Sequence, residues 1–430
     1  MPKRFAELRK TPAGYGFILL AAMSLCYGFA YSSQTSIVTN FFIDDLHFSG
    51  SQFGYITAVR EVGGFFLIFL MMALYRVSLQ WLTAGALMIL GIGYGLFGMS
   101  HGFLSLVPWV VVTSFGFHTV LQTQYALGMS LTTQDRAGRV LGRMTAFYQV
   151  GTFAAFVIVG LIFYFNWLSY AKTFIVLGAV AFLGGIFIIR FPHLHDGEPR
   201  KLAPKRERLV WNWEYRYYYA LNLLDGIRQQ VFFSFGLWVL AQHYHLKVPA
   251  ICLILAGGTL IAISTSTWIG RSIDRLGERK VIQAINVAYV IALGGYALSG
   301  HLAMACVFYI LYSCITPFSS VAASTYLRKI AVPEEIAPTL AMGVTVLHAT
   351  ALVVPVAAGV ILHYLGFRVP FAISCAAAIV TILVTVRLDP HKQRSAARIA
   401  LDEAQLAAAV GPMEMLTAET GVAFESDAGH

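Results

Sequence analysis

Charged residues are scarce in this chain: Asp, Glu, Lys and Arg make up 12% of its 430 residues. Soluble globular domains carry about 25% charged residues, so the scarcity argues against a soluble protein. Hydrophobic residues reach 58%, and the mean hydropathy is +0.69. The apolar runs suit membrane-spanning helices, which need about 20 residues, and are too long for the strands of a membrane β-barrel. The composition therefore predicts an all-α membrane protein.

The sequence lacks the features that usually mark metal or redox sites, ATP hydrolysis and enzymatic catalysis. The five cysteines lie in apolar segments without a spaced pair, so we expect them to pack between helices and predict no metal or redox site. No glycine-rich loop ends in Lys-Ser or Lys-Thr, which argues against ATP hydrolysis. No Ser or Cys stands beside a credible base, so we expect neither an enzyme nor a cofactor. The first apolar run is too long for a signal peptide and should remain as a span.

Twelve apolar runs divide into two groups of six. The first group comprises Tyr15–Val38, Phe53–Leu74, Trp81–Met99, Phe103–Leu131, Val140–Phe165 and Leu168–Ile189. The second group comprises Tyr219–Leu240, Val248–Ile269, Val281–Ser299, Leu302–Leu327, Thr339–Leu365 and Val369–Val386. We therefore predict an N-terminal six-helix bundle over 1–189, a cytoplasmic linker over 190–212 and a C-terminal six-helix bundle over 213–388. The tail over 389–430 is expected to be cytoplasmic and largely disordered, although Arg394–Ala409 has the composition of a short helix.

The basic residues orient the chain in the membrane. The N-terminus, the even-numbered connections and the tail hold 24 of the 30 Lys and Arg residues. Because positive charge stays on the cytoplasmic side, we expect both termini to be cytoplasmic in a protein of the inner membrane. The net charge of +9 is thus a topology signal, and nucleic acid is not an expected partner. We expect a monomer whose partners are the bilayer, a small-molecule substrate and protons.

The two groups of runs echo each other at a nearly constant offset. Tyr27-Gly28 in the first run matches Asp225-Gly226 in the seventh, and Gly63-Gly64 in the second matches Gly257-Gly258 in the eighth. A constant offset between such echoes indicates a duplicated six-helix unit. The sequence therefore predicts two pseudo-symmetric bundles.

Three connections resemble those of the major facilitator superfamily of secondary transporters. Gly270–Lys280, which reads Gly-Arg-Ser-Ile-Asp-Arg-Leu-Gly-Glu-Arg-Lys, is similar to the signature cytoplasmic loop of that family. Asp135–Arg139, and Val332–Glu335 together with the later Leu365–Phe371, resemble two further recurrent stretches, and the likeness extends over Tyr15–Val386. The resemblance implies twelve transmembrane helices in two bundles that rock about a midplane site. It also implies that the first, fourth, seventh and tenth helices line that site.

The resemblance has two departures. The family's signature loop more often follows the second span, but Leu74–Leu79 contains neither an acid nor a glycine there. This departure argues against symmetric gating. The Gly-Pro pattern that many exchangers carry in the fifth span is missing from Gly151–Gly160, which argues against drug–proton antiport.

The signature-like loop supplies a predicted cytoplasmic gate. The resemblance implies that Asp274 holds the gate closed through neighbouring basic groups and a helix N-terminus, which favours an anion by roughly 0.3–1 kcal/mol. Gly270, Arg275, Gly277 and Arg279 complete the predicted gate. The alternative is a solvated loop charge without a gating role.

The seventh run carries the strongest functional signal. Asp225 and Arg228 lie inside it and share one helix face at a spacing of three. A charge at the centre of a spanning helix costs about 2.5–3.5 kcal/mol and normally faces protein or a water-filled cavity. We predict that Arg228 binds an anionic group of the substrate and that Asp225 carries a coupling proton. The alternative is a static pair that locks helices together.

The second run carries a second ionic pair. Arg60 and Glu61 are adjacent, so they point about 100° apart and are not expected to pair with each other. Arg60 is a predicted anion-binding residue and Glu61 a second predicted proton carrier. The alternative is again structural, with Glu61 held by a basic partner on another helix.

Further polar residues in the first and fourth runs are predicted to line the site: His118, Gln122, Tyr27, Tyr31 and Gln34. A helix–helix hydrogen bond, worth about 0.6 kcal/mol in membranes, is an equally weighted alternative for His118. His348 in the eleventh run is expected to be structural, because that helix stands away from the cavity in the family that the chain resembles.

These observations favour a proton-linked secondary transporter, a symporter of a small, anionic organic solute that works by alternating access. One alternative is a proton-linked exporter of lipophilic or cationic compounds, in which Glu61 and Asp225 bind the substrate. Another is a sensor on the same scaffold that no longer moves a solute, because one fold hosts several functions.

Overall fold

The computed structural model describes residues 10–132, 136–192, 211–276, 278–316, 319–390 and 392–405, with side chains left out at 68, 262, 263, 265–276, 278, 319–322 and 337. Within these ranges the secondary structure is helical, with no strand. We group the helices into a first half, up to residue 192, and a second half, from residue 211.

The first half contains α1 (Pro12–Asp44), α2 (Gly50–Arg60), α3 (Val62–Phe65), α4 (Leu67–Ala73), α5 (Leu79–Phe97), α6 (Phe103–Ser130), α7 (Ala137–Tyr164) and α8 (Tyr170–Ile189). The second half contains α9 (Arg216–Gln242), α10 (Val248–Leu276), α11 (Glu278–Ala297), α12 (Leu302–Ile315), α13 (Ser319–Ile330), α14 (Pro333–Leu365) and α15 (Arg368–Val386). A short helix over 396–405 follows.

Nine spans in the described part of the chain are long and apolar enough to cross a membrane. They coincide with nine of the twelve predicted runs. The other three runs fall on α9, on α10, and on α12 followed by α13, all of which are helical. Charged and amide residues lower the hydropathy of α9, and the described apolar parts of α10 and α12 are short. The helix count is thus consistent with twelve passages.

The second span is broken rather than continuous as predicted. Helix α2 ends at Arg60, and Glu61 and Phe66 are the junctions to α3 and α4. The Ser114 hydroxyl group, on α6, accepts a hydrogen bond from the Gly63 backbone amide at 2.9 Å and donates to the Arg60 carbonyl group. A side chain inserted into a backbone hydrogen-bond ladder is a recognised cause of helix kinks. The break therefore depends on a residue from another helix.

The two halves pack against each other at one end of the bundle. We call the end where α1 begins and α15 ends the terminal face, and the other end the opposite face. At the opposite face α2 packs on α14, where a Cβ at Gly54 would overlap the Pro355 carbonyl oxygen. Asn40 also donates to the Leu246 carbonyl group at 3.0 Å across the halves. Small residues allow such close backbone approach between membrane helices.

The described part of the tail packs on the second half, and residues 396–405 form a helix within the stretch Arg394–Ala409 that has the composition of one. The Ser395 amide donates to the Ile330 carbonyl group at 2.9 Å, and the Ala396 amide donates to Glu214 at 3.2 Å. The Tyr326 hydroxyl group donates to Gln393 at 2.7 Å. These bonds attach the segment to the second half. Residues 406–430 and most of the predicted linker, 193–210, lie outside the described residues.

Candidate functional site

A cavity of ≈ 220 Å³ lies between the two halves, on the opposite-face side of the bundle centre. Both halves line it, because α1, α2, α5 and α6 contribute residues from one side and α9 contributes from the other. Its lining residues are Tyr31, Gln34, Val38, Phe42, Phe53, Ile56, Thr57, Arg60, Glu61, Tyr94, Phe97, Val110, Thr113, Ser114, Phe117, Gln229, Gln230 and Phe233. This lining is mostly apolar with a few polar groups, as is typical of small-molecule sites. We call it the central cavity.

Among the described residues that line the central cavity, Arg60 carries the positive charge. Its side chain is 47% exposed, and its guanidinium group lies 3.4 Å from Glu61 Oε1. The expectation that these adjacent residues do not pair was wrong, because the helix ends between them and the regular 100° offset no longer applies. Arg60 keeps donors free of Glu61, since the guanidinium group carries five N–H groups. A carboxylate or phosphate in the cavity could accept from them.

Glu61 meets two imidazole rings. Its Oε2 atom lies 3.7 Å from His118 Nε2 and 3.8 Å from His348 Nδ1. His118 belongs to the first half and is buried, whereas His348, on α14 of the second half, is 33% exposed at its side chain. The two rings are edge-to-face with centroids 5.9 Å apart. This Glu61–His118–His348 cluster therefore bridges the halves near the bundle centre.

Two glycines let this cluster form. A Cβ at Gly64 would lie 2.6 Å from His118 Nε2 and 3.1 Å from His348 Cε1, so only glycine leaves room for both rings. A Cβ at Gly63 would likewise collide with Ser114. His118 Nδ1 lies 2.9 Å from the Ser114 carbonyl oxygen, a bond that fixes the proton on Nδ1 and leaves Nε2 facing Glu61. Close packing of Ser114, His118 and His348 therefore explains why glycines occupy positions 63 and 64.

A second cavity of ≈ 340 Å³ lies within the first half, toward the terminal face. Its lining includes Ser24, Tyr27, Tyr31, Phe117, Leu121, Gln124, Tyr125, Met144, Thr145, Tyr148 and Gln149. Tyr31 and Phe117 line both cavities and stack on each other, with ring centroids 5.0 Å apart and planes 16° apart. The stacked pair is the partition between the central cavity and this terminal-side cavity.

Arg228 lies outside both cavities. Its side chain is 3% exposed and pairs with Asp225, whose side chain is 17% exposed. The guanidinium group donates to Asn286 Oδ1 at 3.1 Å and lies 3.4 Å from the centroid of the Tyr289 ring. These contacts are within the second half, so Arg228 does not face a substrate in this conformation. The placement favours the static pair over direct anion binding by Arg228.

The other predicted binding residues differ in which cavity they line. Gln34 lines the central cavity, Tyr27 the terminal-side cavity, and Tyr31 both. Gln122 is exposed and lines neither of them, whereas Gln124, two residues further on, lines the second.

The predicted gate is only partly described. Gly270, Asp274 and Arg275 belong to α10, which continues as a helix through Leu276, so the predicted loop is largely helical there. Their side chains, and Gly277 entirely, lie outside the described residues. Arg279 is exposed in the first turn of α11.

The contributors to the site that sequence reasoning missed include Gln229, Gln230, Tyr94 and His348. The two glutamines are polar residues in an apolar run, and that is the signal by which they could be found. His348 was assigned a structural role because of its helix. Its partner Glu61 is far away in sequence, so no local pattern signals their contact.

Comparison with known proteins places this arrangement in a family. A family model described as Major Facilitator Superfamily matches residues 20–216 and 218–413. The structure of the nucleoside transporter NupG is similar, with a TM-score of 0.73 at 14% identity over 87% of this chain and 100% of its own. No curated protein sequence matches this chain.

Two further solved structures share the fold. A bacterial homologue of the human lysosomal transporter Spinster, inward-facing and occupied, has a TM-score of 0.70 at 14% identity, over 89% of this chain and 98% of its own. A bacterial homologue of the iron transporter ferroportin, in an inward-facing state, has a TM-score of 0.68 at 13% identity, over 86% and 98%. At these identities the likeness shows the fold alone. With the family model matching both halves, the chain belongs to the major facilitator superfamily of membrane transport proteins.

Proposed function

We propose that this protein is a secondary active transporter of a small organic anion, driven by protons and working by alternating access. The observation that carries the proposal is the central cavity between the halves, into which Arg60 projects half-exposed. Arginine binds carboxylate and phosphate groups bidentately, so a cavity with one accessible guanidinium group suits a singly or doubly charged anion. Gln34, Gln229 and Gln230 add neutral donors and acceptors around it.

The cavity's size supports a small solute. A volume of ≈ 220 Å³ lies somewhat below the range of about 300–1,000 Å³ typical of drug-sized ligands. Phe42, Phe53, Phe97 and Phe233 contribute apolar surface to the lining. The proposed solute therefore combines a compact apolar body with one acidic group.

Asp225 is the proposed proton carrier. It is partly exposed, whereas its partner Arg228 is sealed among Asn286 and Tyr289. A proton on Asp225 would remove the charge that pairs with Arg228, and an uncompensated buried charge costs several kcal/mol. Protonation would thereby destabilise this packing of the second half and favour another. Glu61 was also predicted to carry a proton, and its role is taken up below.

The direction of access follows from the packing. The halves contact each other at the opposite face, where α2 packs on α14 and Lys247 lies 3.8 Å from Asp44. The proposed orientation puts the terminal face in the cytoplasm, on the strength of the basic residues. Under that orientation this conformation is closed to the outside, and the Tyr31–Phe117 partition lies on the path to the cytoplasm.

A second candidate function is export of lipophilic cations. The aromatic wall of the central cavity and the carboxylate of Glu61, which lines it, favour this alternative. Cations bind the faces of aromatic rings by about 0.5–2 kcal/mol. In that case Glu61 would bind the substrate, and Arg60 would only balance charge.

A ligand screen by thermal stability separates the two candidates. The purified protein is heated with monocarboxylates, dicarboxylates, organic phosphates, neutral nucleosides and organic cations such as ethidium, because a ligand at 100 times its Kd stabilises by about 2.7 kcal/mol. We expect an anion to stabilise the wild type and to lose its effect in Arg60→Gln. Stabilisation by a cation that survives Arg60→Gln and disappears in Glu61→Gln would overturn the anion proposal.

Transport itself is measured with the stabilising solute in proteoliposomes. An inwardly directed proton gradient should accelerate uptake by the wild type. In Asp225→Asn, counterflow of labelled solute should persist while the proton gradient no longer drives accumulation. Accumulation by Asp225→Asn at the wild-type level would contradict the proposed proton carrier, and the absence of any counterflow by the wild type would contradict transport.

A further inference from the structure

The Glu61–His118–His348 cluster has a geometry that direct hydrogen bonding does not explain. Glu61 Oε2 lies 3.7 and 3.8 Å from the two facing ring nitrogens. Hydrogen bonds in proteins span 2.7–3.2 Å between such atoms. The three ligand-type atoms, one from each side chain, nevertheless all lie within 4.8 Å of one another. They surround a common point instead of forming a bonded chain.

We propose that Glu61, His118 and His348 form a binding site for a divalent transition-metal ion of the zinc class, held between the two halves of the protein. Ligand atoms at 2.0–2.2 Å from a tetrahedral zinc ion stand roughly 3.3–3.5 Å apart. The two Glu61–histidine separations, 3.7 and 3.8 Å, are within about 0.5 Å of that arrangement. The third pair, the two histidine nitrogens, lies within 4.8 Å and must close by up to about 1.5 Å. Two imidazoles and one carboxylate are also a donor set that zinc sites use, with one position left for water or substrate.

The surroundings of the ligands support this assignment. His118 Nδ1 lies 2.9 Å from the Ser114 carbonyl oxygen, and a metal-binding histidine almost always gives its second N–H to such an acceptor. Ser114 is itself fixed by its bonds to Gly63 and Arg60. Gly64 provides the space that the two rings need. An ion would reach the cluster through the central cavity, which Glu61 lines.

One neighbouring charge opposes the ion. The Arg60 guanidinium group is 3.4 Å from the second carboxylate oxygen of Glu61. Arg60 is half-exposed in the cavity and can swing away, but its charge should still weaken binding. If an ion binds here, removing the arginine charge should tighten metal binding. A static contact between helices would not predict this result.

The sequence alone predicted no metal site, because the three ligands come from three separate spans. His348 is the informative member, since it lies on α14 in the second half. An ion bound by all three residues would therefore join the halves. This binding does not depend on which solute is transported, so its failure would leave the proposed function intact.

The test is titration of purified, tag-free, chelator-treated protein with ZnCl2 by calorimetry, and with CoCl2 by visible absorption, which reports tetrahedral coordination. We expect one ion per chain. Glu61→Gln, His118→Ala and His348→Ala should each weaken binding by at least the 10–100-fold that losing a second-shell partner costs. Gly64→Ala should weaken it at least tenfold with every ligand present, because the new Cβ displaces the His118 ring.

Two further variants make the result decisive. Arg60→Gln should tighten binding on the order of tenfold, because it removes a positive charge that repels a divalent ion bound at Glu61 across a watery cavity. His101→Gln, at an exposed histidine before α6, is the matched control and should bind as the wild type does. Size-exclusion profiles confirm that each variant is folded.

The opposite results are equally clear. No saturable binding by the wild type, or equal binding by the wild type and all three ligand variants, would overturn the proposal. Unchanged affinity in His348→Ala would overturn the claim that the ion joins the halves. Binding that is lost in His101→Gln would assign the titration to a surface site and contradict the proposal as well.

Discussion

The two ionic groups inside the membrane are built in opposite ways. In the second half, Arg228 is 3% exposed and touches Asp225, Asn286 and Tyr289. In the first half, Arg60 is 47% exposed in the central cavity, and the adjacent Glu61 is its ionic partner at 3.4 Å. The first arrangement satisfies a buried charge within one half. The second leaves charge available to a ligand.

The difference teaches that an arginine in a spanning helix is available to bind a solute only when its partners leave some of its donors unused. Both groups look alike in the sequence, since each places a basic and an acidic residue within one turn. Burial and partners separate them. The four predictions that follow test this contrast, from the largest expected effect to the smallest.

The largest effect is expected when the sealed pair of the second half is broken. Asp225→Leu leaves Arg228 buried without its carboxylate, which should cost about 3–5 kcal/mol of stability. The double variant Asp225→Leu/Arg228→Leu should recover most of that loss, because apolar replacement of a buried pair is often neutral. Thermal unfolding in detergent measures both. If Asp225→Leu is as stable as the wild type, the Asp225–Arg228 pair is solvated, and the contrast between the two ionic groups does not hold.

Replacing Arg60 should have a smaller effect on stability but a large effect on ligand binding. Arg60→Gln should lower the affinity for the stabilising anion by about 10–100-fold, since hydrogen bonds to charged groups are worth about 1.5–3 kcal/mol. Its unfolding temperature without ligand should change little, because half of the side chain is exposed. Titration of the anion by calorimetry gives the affinity. Unchanged affinity together with lost stability would make Arg60 structural, like Arg228.

An intermediate effect is expected where the halves meet at the opposite face. Gly54→Ala inserts a Cβ against the Pro355 carbonyl group, and such overpacking costs typically 1–3 kcal/mol. The halves should separate there more often. Cys252 reports this, because it is buried and packs beside Gly160 of the first half. In a chain with no other cysteine, maleimide should label Cys252 faster in Gly54→Ala. Gly85→Ala, which meets open space, is the control.

The weakest single interaction tested is the ring stacking at the partition between the cavities. Removing one ring of the stacked Tyr31–Phe117 pair should cost about 0.5–1.5 kcal/mol beyond lost burial. Its functional effect is a leak: whenever the opposite face opens, Phe117→Ala should let protons cross proteoliposomes without solute. Leu121→Ala, which lines only the terminal-side cavity, should not leak. Equal proton permeability in Phe117→Ala and the wild type would remove the partition from the transport path.

The helices were predicted well from the sequence because the membrane directly constrains where apolar and basic residues can lie. The run predicted at Phe103–Leu131, for instance, is helical over Phe103–Ser130. The break at Glu61 was not predictable, since Ser114 of another helix causes it. The contact between Glu61 and His348 was missed for the same reason. Local patterns reveal which residues are unusual, whereas long-range packing decides what they do.

The most direct test of the account is protection of a cysteine by the solute. Gln229 lines the central cavity and Asn286 holds Arg228, so Gln229→Cys and Asn286→Cys report the two environments in a chain without native cysteines. The account predicts that maleimide labels Gln229→Cys, that the stabilising anion blocks this labelling, and that Asn286→Cys stays unlabelled. Anion-protected labelling at Asn286→Cys, with none at Gln229→Cys, would place the solute beside Arg228 and contradict the account.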